Sequence, residues 1–78
     1  MVIVYSKPGC PPCRATYRHL DKHDIPYTSV DLSQNPEAID QIKTLGYNSA
    51  PVVVAETTHW CGYRPDNIDR LAQQLNLI

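Results

Sequence analysis

Two cysteines three positions apart stand in the stretch SKPGCPPCRATYRHL, between the unbroken β-branched run MVIVY and a segment with helical spacing. A strand that passes through a turn into a helix, with CxxC at the junction, narrows the possible folds more than any other feature of the chain. The junction suits cysteine because the free N–H groups and the dipole of a helix N-terminus favour a thiolate. Cys10 falls just before the predicted helix and Cys13 in its first turn, so the first sulfur is expected to face solvent with the second behind it, within disulfide reach. Three readings are open at this point: a structural staple, half of a metal site, and a working redox pair.

The rest of the chain supplies a frame for that junction. MVIVY, followed by the turn-prone SKPG, suits a strand buried on both faces. A helix is expected from Pro11 to about Asp24, with Cys13, Tyr17 and Leu20 on one face. In YTSVDL, alternation sets Tyr27, Ser29 and Asp31 against Thr28, Val30 and Leu32, as in a half-buried strand. Ser33 is the expected N-cap of a second helix that runs through Leu45 and ends at Gly46, with Ala38, Ile39, Ile42 and Leu45 as its apolar face. PVVVA and THWC then read as two strands of an antiparallel hairpin around Glu56 and Thr57. The helix RPDNIDRLAQQLNLI closes the chain, with Pro65 at an early helical position and Ile68, Leu71, Ala72 and Leu75 as one apolar stripe. The order βαβ followed by ββα predicts an α/β fold, a four-stranded mixed sheet flanked by three helices, with residues 1–78 as a single domain.

Composition narrows the chemistry. Three cysteines in 78 residues are too few, and odd in number, for a disulfide scaffold of the secreted kind. No basic segment precedes the first apolar run, which argues against a signal peptide. No apolar stretch approaches the roughly 20 residues that span a bilayer. These features point to a cytoplasmic setting, where CxxC is more often catalytic or metal-binding than structural. A formal net charge of −1 gives no footprint for nucleic acid. Proteins or small molecules are the expected partners, no membrane is, and a monomer is the expected state.

A zinc site would need ligands beyond Cys10 and Cys13, and His59 and Cys61, two apart on one predicted strand, are the natural ones. Apolar strands and a full set of helices make the domain foldable without such a site, so no metal is expected. The redox reading is the stronger: Cys10 attacks a target disulfide, a mixed disulfide forms, and Cys13 resolves it. Pro11 and Pro12 remove two N–H groups that would otherwise stabilise a Cys10 thiolate. The Cys10 thiol is therefore expected to be only moderately depressed, and the couple to lean toward reductant. Lys7, three residues before Cys10, is a further candidate for steadying the thiolate. His19, His23 and His59 carry no spacing that sets them apart from surface histidines.

The CxxC at the first helix and the βαβ–ββα order resemble the thioredoxin fold in its short, glutaredoxin-like form. SAPVVV adds to the resemblance, which implies a cis peptide at Pro51 and a role for the Ala50 backbone in holding an extended substrate segment. HWCGYRPDNIDRL is similar to the Trp-x-Gly-aromatic-Arg-Pro-acidic motif of NrdH redoxins, and the similarity runs over nearly the whole chain. It implies a carrier with no bound cofactor beyond the Cys10–Cys13 disulfide. Such a carrier is reduced by thioredoxin reductase at the expense of NADPH and passes electrons to the large subunit of class Ib ribonucleotide reductase. It also implies partner-binding roles for Trp60, Gly62 and Arg64. Two departures stand out: proline fills both positions between the cysteines, and Cys61 replaces the usual serine. Cys61 is expected to be buried as a small apolar residue. Where glutathione-dependent glutaredoxins carry a Gly-Gly-acidic segment, this chain has CGYRPD, which argues against that alternative.

Overall fold

The computed structural model describes residues 1–76. Its elements follow the order β1 (Ile3–Ser6), α1 (Pro11–Lys22), β2 (Thr28–Asp31), a 3-10 turn (Leu32–Gln34), α2 (Pro36–Thr44), β3 (Val52–Val54), β4 (His59–Cys61) and α3 (Pro65–Asn76). The four strands form one mixed sheet in the order β2-β1-β3-β4. β1 pairs with β2 in parallel, while β1 with β3 and β3 with β4 are antiparallel. This is the predicted architecture. None of the helices among the described residues is long and apolar enough to cross a membrane.

Strand alternation divides the core into two layers. On one face Val4, Val53 and Trp60 meet Leu20 of α1 and Ile68, Leu71 and Ala72 of α3. On the other, Tyr5 and Val52 meet Ala38 and Ile42 of α2. The sheet edge obeys the same rule: Tyr27, just before β2, belongs to the first layer and Val30 of β2 to the second. Tyr17 of α1 ties the first layer down by bonding to the Ser6 and Ser29 hydroxyls, at 2.5 and 2.6 Å, and by stacking on Tyr27.

Three expectations need correction. Ser33 does not cap the second helix; it sits in the 3-10 turn, where the Asp31 carboxylate accepts from its backbone N–H at 2.9 Å. The helix proper starts later, with Asn35 at the cap position and Pro36 in its first turn, where a fixed φ and a missing N–H cost nothing. Its apolar face is also narrower than expected. Ala38 and Ile42, one turn apart, are buried, whereas Ile39 and Leu45 are 36% and 37% exposed. Ile39 is rotated off the buried stripe, and Leu45 lies past the helix end. In α3, Leu75 is 44% exposed. A 12-residue helix, about 18 Å long, outruns strands of three residues that span about 10 Å. The expected continuation of α3 to Ile78 lies outside the described residues.

Candidate active site

Cys10 is the N-cap residue of α1, in extended backbone geometry, and its Sγ accepts the N–H of Cys13 at 3.2 Å. Gly9, with φ +67, takes a conformation rarely open to L side chains and turns the chain from β1 into that cap. Pro11 and Pro12 occupy the first two helical positions. With their N–H groups gone, the amide of Cys13 is the donor left to the cap sulfur. Cys10 and Cys13 are joined as a disulfide with Cα atoms 5.2 Å apart, inside the usual range.

Burial corrects the picture of an outward-facing first sulfur. Cys10 is 5% exposed and Cys13 2%, so the disulfide lies nearly flush with its surroundings and only an edge of Cys10 is open. Beneath it, Thr16 is wholly buried and satisfied by a bond from its hydroxyl to the Pro12 carbonyl at 2.9 Å. The pair thus stands on a well-buried helix end, and its chemistry is interconversion of dithiol and disulfide.

Sheet register gathers distant residues to the same end of the fold. Tyr5, at the end of β1 that leads to Cys10, pairs with Val52 at the start of β3, and Val52 pairs with Cys61 at the end of β4. Pro51 and Gly62 therefore share the sheet end from which the Cys10 loop departs. The Ala50–Pro51 peptide is cis, as expected. Pro51 is buried, Ala50 is half-buried, and the Pro51 carbonyl accepts the Gly62 N–H at 2.8 Å. Gly62, with φ +88, makes the turn that aims its N–H back at Pro51.

The remaining candidates are placed less centrally. Lys7 is exposed and enters no hydrogen bond or ion pair among the described residues. Arg64 bonds to Asp66 at 3.4 Å at the exposed start of α3, and this hydrogen bond holds the Asp66 carboxyl below the ordinary carboxylate range. Trp60 is 5% exposed and belongs to the core layer under α1 and α3, which favours a packing role for its ring. Cys61 is half-buried rather than buried, with its Sγ 3.3 Å from the Ser49 hydroxyl and 3.6 Å from the Ser49 carbonyl.

No four-ligand zinc site forms around the CxxC among the described residues. The His59 ring bonds to the Tyr47 hydroxyl at 2.7 Å, and Cys61 is held by Ser49. A different cluster does form. His19 of α1 and His23, the residue that caps its C-terminus, both approach Asp69 of α3. The hydrogen bond from His19 foremost, with that from His23 adding to it, holds the Asp69 carboxyl below its ordinary range. The i, i+4 histidine pair is visible in the sequence, but Asp69 lies 50 and 46 residues away and carries no local signal that it joins them.

The sequence profile of the glutaredoxin family matches residues 2–60. The chain is 31% identical over 72 residues to the glutaredoxin-like protein NrdH of Lactococcus lactis subsp. cremoris, covering 92% of this chain and all of that protein. It is 42% identical to the Gene 56 protein of Mycobacterium phage L5, over 90% of this chain and 70% of that one. Among solved structures it is similar to NrdH-redoxin of Escherichia coli, with a TM-score of 0.86 and 31% identity over 90% of this chain and 92% of that chain. The protein belongs to the NrdH-type glutaredoxin-like redoxins, thiol-disulfide oxidoreductases with the thioredoxin fold.

Proposed function

We propose that this NrdH-type redoxin is a dithiol electron carrier that takes electrons from thioredoxin reductase and delivers them to the active-site disulfide of class Ib ribonucleotide reductase. The observation that carries the proposal is the asymmetry of the cysteine pair. Cys10 caps α1 and receives the Cys13 N–H, so helix-end electrostatics favour a thiolate there, while Cys13 is the more buried of the two. In the reduced protein the Cys10 thiolate attacks one sulfur of the target disulfide; a Cys10–target bond forms and the other target sulfur leaves as a thiolate. Cys13, once deprotonated, attacks Cys10 Sγ, the mixed disulfide breaks, and the second target sulfur departs and is protonated. Two electrons have moved to the target, and the Cys10–Cys13 disulfide is regenerated for reduction by thioredoxin reductase, ultimately from NADPH.

Two features support the choice of electron source. The related Escherichia coli protein is described as having a thioredoxin-like activity profile. In this chain the segment where glutaredoxins would hold glutathione carries the bulky Tyr63, whose hydroxyl bonds to His19 of α1 at 2.9 Å. The target segment docks in extended form against the Ala50 backbone beside Pro51, with Gly62, Arg64 and Lys7 around it; Trp60 acts from below by shaping that surface. The carrier works as a monomer without a bound cofactor, in the reducing cytoplasm that keeps its dithiol available.

Two coupled assays run side by side test the proposal, one with NADPH, thioredoxin reductase and a disulfide substrate, the other with NADPH, glutathione and glutathione reductase. Sustained NADPH oxidation in the first is the expected result; turnover in the second alone overturns the assignment. With NADPH and thioredoxin reductase as the electron source, adding the protein to a class Ib reductase lacking other dithiols should restore nucleotide reduction.

A further inference from the structure

The CxxC occupies one end of α1; the other end carries a cluster that thiol exchange does not use. We propose that His19, His23 and Asp69 form a binding site for a zinc-type divalent cation, which clasps α1 to α3. His23, the C-cap residue of α1, follows His19 by four residues, and both rings reach the same Asp69 on α3. Their Nε2 atoms lie 2.7 and 3.0 Å from the same oxygen, Asp69 Oδ1, and the three potential ligand atoms all fall within 4.8 Å of one another. Metal-to-ligand bonds of about 2.0–2.2 Å in tetrahedral array need ligand atoms about 3.3–3.5 Å apart. Side-chain rotations that lengthen the two His–Asp distances by roughly half an ångström and draw the imidazole nitrogens together from within 4.8 Å bring the cluster to that spacing.

The surroundings fit the same reading. The side chains of His19 and His23 are 15% and 30% exposed, so the rings are held by their neighbours, while Asp69, at 54%, leaves a path for entry. The second nitrogen of His19, Nδ1, is 2.9 Å from the Tyr63 hydroxyl. Metal-bound imidazoles use that second nitrogen to bond an outer partner, which fixes the ring for coordination through Nε2. Two imidazoles and one carboxylate select zinc and its transition-metal neighbours over calcium or magnesium, which prefer all-oxygen sets. Three protein ligands leave a further position for water. The site lies beyond the catalytic end: His19 is about 9 Å along the helix axis from Cys13. The ion can therefore bind with the disulfide intact.

The test uses tag-free oxidised protein, in which Cys10 and Cys13 cannot ligate. Zn²⁺ titrated calorimetrically should bind in a 1:1 ratio and raise the melting temperature. Co²⁺ in its place should give a d–d spectrum with no thiolate charge-transfer band. Binding should be lost in His23→Gln and in Asp69→Asn, weakened by about tenfold or more in Tyr63→Phe, and unchanged in Cys61→Ser. His23 and Asp69 are open enough that both variants fold, which their circular dichroism would verify. No binding by the oxidised protein overturns the site, as does binding that survives His23→Gln and Asp69→Asn or that disappears with Cys61→Ser.

Discussion

The two faces of the sheet are made by the same alternating strands yet carry unequal loads. The face under α1 and α3 buries nine residues in one cluster among the described residues, with Leu20, Val4, Val53 and Ile68 fully excluded from solvent. The face under α2 buries five, and α2 leaves Ile39 and Leu45 partly in water. The thick layer supports the element that does chemistry: α1 is fixed by Leu20 below, by Tyr17 to β1 and β2, and by α3 beside it, so the cap that holds Cys10 is rigid. The thin layer serves mainly to close the fold. The helix that carries the cysteine pair thus stands over the more densely packed face of the sheet.

The largest effect that would sharpen this contrast is functional. Cys10→Ser should abolish disulfide reduction, while loss of so short a disulfide loop lowers stability by only about 2 kcal/mol; full activity in this variant would break the scheme. Next come the two core layers themselves. Ile68→Ala in the thick layer should cost about 4 kcal/mol and Ile42→Ala in the thin layer about 2 kcal/mol, both within the range for truncating buried aliphatic side chains. Denaturant melts of the two variants compare them directly, and equal losses would erase the distinction between faces. On the outer side of α2, Ile39→Ser should cost about 1 kcal/mol, less than either core truncation, since the side chain is already 36% exposed.

The smallest expected effect belongs to Asp66, at the exposed start of α3. Its folded-state carboxyl is held low by Arg64, so the pair contributes above the unfolded carboxyl value and the contribution is lost as pH falls through the folded one. The small gap in melting temperature between the protein and its Asp66→Asn variant should therefore shrink on acidification from about pH 6 to about pH 2. A gap that widens would show that Arg64 does not act on Asp66 in this way.

Much of this arrangement was legible because it rests on local patterns. MVIVY and PVVVA are unbroken apolar runs, and the strands they make are central in the sheet. Cys10 precedes two prolines that can only begin a helix, which fixes the cap without any tertiary information. Features that depend on what a residue meets across the fold were harder to see. Ile39 looks as apolar as Ile42, but only the sheet beneath α2 decides which is covered. Ser33 and Asn35 are both good caps, and Pro36 in the first turn is the residue that chooses between them. The exposure of Cys10 depends on neighbours from several elements, so spacing alone overestimated it. Asp69 gives no sign in the chain that two histidines of another helix will meet it.

In the proposed exchange one sulfur, Cys10 Sγ at the cap of α1, makes first contact with the target. Reacting Cys13→Ser with a disulfide substrate and locating the trapped adduct by mass spectrometry of the digested protein tests it most directly. A stable mixed disulfide on Cys10 and none on Cys61 is the expected result; an adduct on Cys61 alone, or none on Cys10, would show that Cys10 is not the attacking sulfur.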